Sequence, residues 1–164
     1  MSELGIPESW TLTKLFNACR NIRGVTYKKQ EASGTEQKSM IAILRANNID
    51  NGVINYKSLV YIPLKQVREE QILKKGDIII AMSSGSIKVV GKAAQFDDFK
   101  KVSFGAFCGV IRLNIDECKD IGFWGWFFQS ARYRSYISSV ARGANIKNLL
   151  KSHLENITLP IPPL

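Results

Sequence analysis

Short apolar runs separated by polar punctuation dominate this chain, and several of them carry the pattern of strands. The stretch "KKGDIIIAMSSGSIKVVGKAA" holds the β-prone run Ile78-Ile79-Ile80, then residues of almost no bulk, then Ile87, Val89 and Val90. It predicts two strands joined by a hydroxyl-rich loop, Ser83-Ser84-Gly85-Ser86. "MIAILRANNIDNGVINYKSLVYI" alternates and breaks at Asn51-Gly52, the best hairpin signal in the sequence. Both residues tolerate the positive φ that a two-residue turn needs. Another strand is expected over 108–115, after the polar run "FDDFKK", and a last one in "NITLPI".

Helical signals are fewer. "TLTKLFNACRNIRG" reads as a short amphipathic helix capped by Thr11 or Thr13 and stopped by Gly24. "VTYKKQEASGTEQKS" reads as a strand end and a polar Gly/Ser loop. "PLKQVREEQILKKGD" starts on Pro63 and stops at Gly76, giving a second short helix or a turn followed by one. The clearest helix covers 122–142, with Gly143 as its C-cap. Its aromatic cluster of Phe123, Trp124, Trp126, Phe127 and Phe128 reads as core. "NIKNLLKSHLENITLPIPPL" then supplies a short helix, a strand and a Pro-Pro stop. No internal repeat, low-complexity linker or second domain is evident. The expected fold is α/β in the α+β sense, a single globular domain over 1–164. It should have a twisted, mainly antiparallel sheet, short helices and one longer helix in the C-terminal half.

Charge changes the picture. The 164 residues are 45% hydrophobic, enough for one real core, yet Lys plus Arg number 23 against 14 Asp plus Glu. A net charge of +9 favours an anionic partner, most often nucleic acid. The charge is also uneven. Five bases (Lys14, Arg20, Arg23, Lys28, Lys29) and no acid lie in 10–30, and five more (Arg132, Arg134, Arg142, Lys147, Lys151) with no acid in 121–154. On a helix Arg132, Ser135, Ser139 and Arg142 share one face, where bases and hydroxyls suit phosphate oxygens. A solvated helix face explains the same pattern equally well.

"LRANNIDNG" supplies Arg45, Asn47 and Asn48, side chains able to pair with guanine and adenine edges in the major groove. Asn also favours turns for local reasons, and for Asn47 and Asn48 both readings stand. The small loop at Ser83, Ser84 and Ser86 would let backbone N–H groups and hydroxyls approach a phosphate strand, with Lys88 and Lys92 adding charge. An ordinary flexible hairpin loop is the alternative. Lys28, Lys29, Lys38, Asn145 and Lys147 complete the set of candidate DNA contacts.

Catalytic signals are poor. Cys19, Cys108 and Cys118 form neither a CxxC pair nor a ligand cluster with the single His153, and an odd count fits free thiols in a reducing compartment. Asp77 with Asp98-Phe99-Lys100 meets a metal-nuclease spacing only formally, one carboxylate lying in a Gly-Asp turn and the other in a polar loop. No GxGxxG, P-loop or GxSxG is present, so neither an enzyme nor a cofactor is expected. No apolar run approaches the ~20 residues of a membrane span. The start lacks a secretory layout, so a soluble cytoplasmic protein is expected.

Taken in order, "IPESW", "ILRANNIDNGVI", "GDIIIAMSSGSIKVVGK", "FGAFCGVIRL" and "GANIKNLLKSHLENITLPIPPL" resemble a target recognition domain from the specificity subunit of type I restriction–modification systems. The resemblance covers essentially the whole chain and extends to the recognition domain of some adenine-N6 methyltransferases. It implies a non-catalytic reader of double-stranded DNA that takes one half of a bipartite target and directs methyltransferase and restriction subunits to it. It also implies a second recognition domain, or a second copy, for the other half-site. In the family a long spacer helix follows each recognition domain, and this chain stops at Pro163-Leu164, where that helix is expected to begin. The rival reading is a protein-interaction scaffold that docks partners through 124–128, its basic charge incidental.

Overall fold

The computed structural model describes residues 7–114, 121–143 and 148–161, with backbone alone at 121, 142 and 143. The first half runs β1 (Thr11–Lys14), α1 (Leu15–Ala18), β2 (Cys19–Arg23), β3 (Met40–Leu44), β4 (Ile49–Asp50), β5 (Val53–Ile54) and β6 (Val60–Pro63). The second runs β7 (Ile78–Ala81), β8 (Ala93–Gln95), β9 (Val102–Phe104), β10 (Cys108–Leu113), α2 (Ile121–Phe127), α3 (Ala131–Gly143), α4 (Lys151–Glu155) and β11 (Thr158–Ile161). Four strands in the order β2-β10-β7-β8 make one antiparallel sheet. Three in the order β6-β3-β9 make a second, in which β3 and β9 run parallel. β1 pairs with β11, and β4 with β5. The architecture is mixed α/β with mainly antiparallel pairing and short helices, the fold class the sequence predicts.

Alternation along two strands sets the layers. Ile78 and Ile80 of β7 belong to a buried cluster with Trp124, Phe128, Tyr133 and Ile137 from the helices. Ile79 and Ala81 belong to the cluster with Leu44 and Phe104 of the second sheet. A strand buried on both faces needs a continuous apolar run, and the three isoleucines supply it. β3 repeats the logic. Ala42 and Leu44 face the first sheet, whereas Ile41 and Ile43 join Val25 and Ile62 on the outer side. The order of layers is therefore helices, four-stranded sheet, three-stranded sheet and an outer cover of loops and 3-10 turns. Each fully buried isoleucine contributes about 1.5–3 kcal/mol.

One ion pair crosses this interior. Arg112 donates from Nε to Asp77 Oδ1 at 2.8 Å and from Nη2 to Asp77 Oδ2 at 2.7 Å. The same Nη2 donates to the Ile72 carbonyl at 2.9 Å, and Lys74 N–H donates to Asp77 Oδ2 at 2.8 Å. The fork joins β10 to the turn that enters β7.

Several expected elements differ. The single helix over 11–24 is instead β1, one helical turn and β2. Thr11, Thr13 and Ile22 are β-branched, and pairing with β11 and β10 outweighs a weak local preference for helix. The segment 63–76 holds two 3-10 turns, Leu64–Gln66 and Glu69–Gln71, and no α-helix. It cannot wind further because Gln71 Nε2 donates to the Arg23 carbonyl and Leu73 N–H donates to the Val102 carbonyl. Its predicted stop, Gly76, does hold φ +93°.

The return strand lies at β8 rather than over 87–90. There Val89 and Val90 N–H groups donate to the Ser86 carbonyl in a turn, and Gly91 at φ +77° redirects the chain against Ile137. The long helix over 122–142 is two helices, because the Ser130 hydroxyl accepts the Tyr133 N–H and caps α3. β9 goes unread in the sequence. The Asn51-Gly52 turn forms as expected, with φ of +47° and +79°.

At Gly24 the backbone makes a very close approach. A Cβ built there would lie 2.1 Å from the Gly105 carbonyl oxygen, whereas one at Gly34 would meet nothing within 4 Å. Gly24→Ala should therefore destabilise the fold by about 3 kcal/mol or more, the upper end of overpacking. Gly34→Ala should stay within about 0.5 kcal/mol of the parent. Urea midpoints at unchanged slope measure both. Equal midpoints for the two variants would show that the close approach carries no constraint.

Candidate nucleic-acid interface

The outer ends of β2, β3, β9 and β10 enclose an open groove of about 720 Å³. Its lining is apolar at Val25, Ala32, Ala46, Val60 and Cys108, with Gly105 among them, and carries Tyr27, Lys29, Arg45, Asn47, Ser83 and Phe107 as well. A second concavity of about 380 Å³ shares Ala46 and Asn47 and adds Asp50, Asn55, Ser84, Val89 and Lys92. Lys29, Arg45, Asn47 and Ser83, predicted from separate parts of the sequence, thus meet in one groove. Ser84 and Lys92 join Asn47 in the next.

The adjacent asparagines have opposite roles. After β3 the chain makes a 3-10 turn, Ala46–Asn48, in which Asn47 is exposed and Asn48 is fully buried. Asn48 Oδ1 accepts the Arg45 N–H at 2.9 Å, and Nδ2 donates to the Asn55 and Lys57 carbonyls at 3.0 and 2.9 Å. Asn48 is a brace rather than a DNA contact, because no hydrogen-bonding edge of it reaches solvent. Arg45 lines the groove, but one Nη already donates to the Ser58 carbonyl at 2.8 Å and its buried Nε has no partner. A bidentate grip on guanine would use a fork that is partly committed to the protein.

The serine loop is a built turn. Ser83 N–H and Met82 N–H both donate to the Phe107 carbonyl, and the Ser83 hydroxyl donates to Asn148 Oδ1. Ser84 Oγ accepts the Ser86 N–H at 3.2 Å, and Ser86 Oγ accepts the Lys88 N–H at 3.3 Å. These short-range bonds are the local habit of serine in turns. Below the loop, Arg134 donates to the Val90 carbonyl at 3.3 Å and the Tyr133 hydroxyl to the Gly91 carbonyl at 2.8 Å. Lys92 lies 3.6 Å from Asp50 across this face, the Asp50 side chain exposed and that of Lys92 half-buried.

The remaining predicted contacts scatter. Lys28, Lys38, Lys88 and Arg132 are exposed and line neither groove. Ser135 and Ser139 share the exposed side of α3 with Arg132, Ser139 donating to the Tyr136 carbonyl. The Arg142 side chain, Asn145 and Lys147 lie outside the described residues. Sequence reading passed over Tyr27 and Phe107. The one available signal was an aromatic at the tip of "FGAFCG", between two glycines.

The candidate carboxylates of the formal metal spacing have separate partners. Asp77 is forked by Arg112. Asp98 is hydrogen-bonded by Lys100 and Tyr56, and the Lys100 bond leads in lowering its carboxyl to about 2. Burial first, then the Asp98 bond and charge, push the Tyr56 hydroxyl up to about 12. Burial also pushes the Cys108 thiol to about 12, so the groove wall presents it as a small hydrophobe. His153 Nδ1 accepts the Leu150 N–H at the start of α4. Of the aromatic segment, Trp124, Phe127 and Phe128 are buried, whereas Trp126 is 79% exposed. Among the described residues no helix is long and apolar enough to cross a membrane.

The groove is lined by loop residues carried on a core of two packed sheets. The family model for the type I restriction modification DNA specificity domain matches residues 7–164, and the chain belongs to that family. It is 43% identical over 164 residues to the type I restriction enzyme EcoKI specificity subunit of Escherichia coli (strain K12), covering 100% of this chain and 35% of that one. It is 42% identical over 159 residues to the StySPI specificity subunit of Salmonella potsdam, covering 97% of this chain and 34% of that one. The chain thus spans about a third of the length of these curated relatives. Its fold is similar to the HsdS subunit of Thermoanaerobacter tengcongensis, with a TM-score of 0.69 at 14% identity over 99% of this chain and 36% of that one.

Asn48→Ala removes three hydrogen bonds from a buried site and should cost roughly 2–3 kcal/mol of stability. Asn47→Ala, on the exposed neighbour, should stay within about 0.5 kcal/mol. Thermal and urea unfolding separate them. Two variants of equal stability would refute the brace.

Alkaline pH offers a second check. Cys108 and Tyr56 have folded values raised from 9.0 and 10.0 to about 12. The stability they contribute is whole below pH 9 and drains as pH rises towards 12. Unfolding midpoints should fall across that window, and Cys108→Ala should flatten its lower part. A midpoint that rises there would contradict the assignment.

Proposed function

We propose that residues 1–164 form one recognition domain that binds double-stranded DNA sequence-specifically and reads one half of a bipartite target. The observation that carries this reading is the meeting of Lys29, Arg45, Asn47 and Ser83 in one groove, with Ser84 and Lys92 beside it. Charge and hydroxyls for phosphates stand next to amide and guanidinium groups for base edges, the two kinds of contact a DNA reader needs. Family membership supports the same reading. The domain does no chemistry itself. It works in the cytoplasm and directs methyltransferase and restriction subunits to its site, a second recognition domain taking the other half.

The scaffold alternative gains little, since most of the aromatic segment it would use is buried in the core.

Selection of bound sequences from random duplexes tests the proposal. A short consensus should emerge, and log affinity should fall against log salt with a slope of about −4 to −5, for four to six neutralised phosphates. Asn47→Ala should relax one or two positions of the consensus, at about 1–3 kcal/mol each if the contact is bidentate. Lys29→Ala or Lys88→Ala should weaken every sequence alike and reduce the slope by about one. No consensus, together with affinity unchanged between ~50 and ~200 mM salt, would leave the scaffold reading in its place.

A further inference from the structure

The Ala106-Phe107 turn between β9 and β10 is held at several points. Gly105 N–H donates to the Leu44 carbonyl at 2.9 Å, and Cys108 N–H to the Gly105 carbonyl at 2.8 Å. The Phe107 carbonyl accepts both Met82 N–H at 2.9 Å and Ser83 N–H at 3.1 Å. This backbone is fixed, yet the Phe107 ring is 70% exposed. A lone exposed apolar residue is ordinary on a protein surface. Phe107 differs in its company, because it lines the same groove as Arg45 and Asn47. An apolar ring on a rigid turn, in one groove with a guanidinium and an amide, matches a base-pair edge in the major groove. There the C5-methyl of thymine is the apolar feature among donors and acceptors.

We infer that Phe107 is a specificity-determining residue whose ring packs against the methyl group of a thymine in the target, while Arg45 and Asn47 address polar edges nearby. The inference rests on the DNA-reading role proposed above. The alternative for an exposed phenyl ring is a wedge that unstacks a base step from the minor groove. The groove favours the methyl contact, since Arg45 and Asn47, which carry major-groove chemistry, line it together with Phe107. Its fixed backbone gives the ring a defined position against one base pair, which discrimination requires.

The test uses the selected duplex with its thymines replaced one at a time by uracil, which lacks only the methyl. Wild type, Phe107→Ala and Phe107→Leu are titrated against the series. One replacement should weaken wild-type binding about fourfold, the worth of one buried methyl group. Phe107→Ala should bind the unmodified target about tenfold more weakly and be indifferent to that replacement. Phe107→Leu should keep part of the sensitivity. All three should melt alike, because the ring is exposed. The inference is overturned if no replacement affects the wild type, or if Phe107→Ala remains equally sensitive. It is overturned too if Phe107→Ala weakens target and random duplex by the same factor. Phe107-dependent brightening of a 2-aminopurine placed in the site would identify the wedge and reject the methyl contact. A wild type that binds no selected duplex fails at the earlier step and removes the DNA-reading role with it.

Discussion

At Gly24 two backbones pass so closely that no side chain fits between them, and much of the molecule is organised around that crossing. The Val25 N–H donates to the Phe104 carbonyl, Gly105 N–H to the Leu44 carbonyl, and Cys108 N–H to the Gly105 carbonyl, all within 2.8–2.9 Å. These bonds tie the ends of β2, β3, β9 and β10 together, and so join the two sheets at one edge. They also fix the groove. Tyr27 follows Val25 by two residues, Arg45 follows Leu44, and Phe107 follows Gly105 by two. A buried backbone must find its partners, so a knot of this kind is satisfied as a whole or not at all. The groove inherits the rigidity of the core beneath it.

Positive charge extends well beyond the groove. The net charge of +9 is spread widely, with Lys28, Lys38, Lys88 and Arg132 exposed beyond the groove linings. Within the second concavity Asp50 partly offsets Lys92. Under the proposed function, attraction to a polyanion is a property of the surface at large, and discrimination falls to a few groove residues over an apolar floor. Broad charge governs encounter and local contacts govern choice.

What could be read from the sequence was whatever local chemistry decides. Asn51-Gly52 turns because both residues accept positive φ, and Ile78 to Ile80 form a strand because the run is apolar throughout. The segments that misled are decided by distant partners. Thr11 to Arg23 look helical until β11 and β10 claim them, and Gln71 and Leu73 are held by Arg23 and Val102. The asparagines make the point for the site. Asn47 and Asn48 are identical in chemistry and neighbours in sequence, and only the carbonyls of Asn55 and Lys57 assign one to the interior. Phe107 went unnoticed because an aromatic between strands says nothing of exposure until the turn is placed.

The pairing of β1 with β11 sets Thr11 opposite Ile161 and Lys14 opposite Thr158. These two strands from opposite ends of the sequence thus lie side by side, about 5 Å between backbones. Loops at the groove can lengthen, shorten or change composition without altering the separation of β1 and β11. The groove is thus free to drift in composition while the clasp of β1 on β11 stays the same.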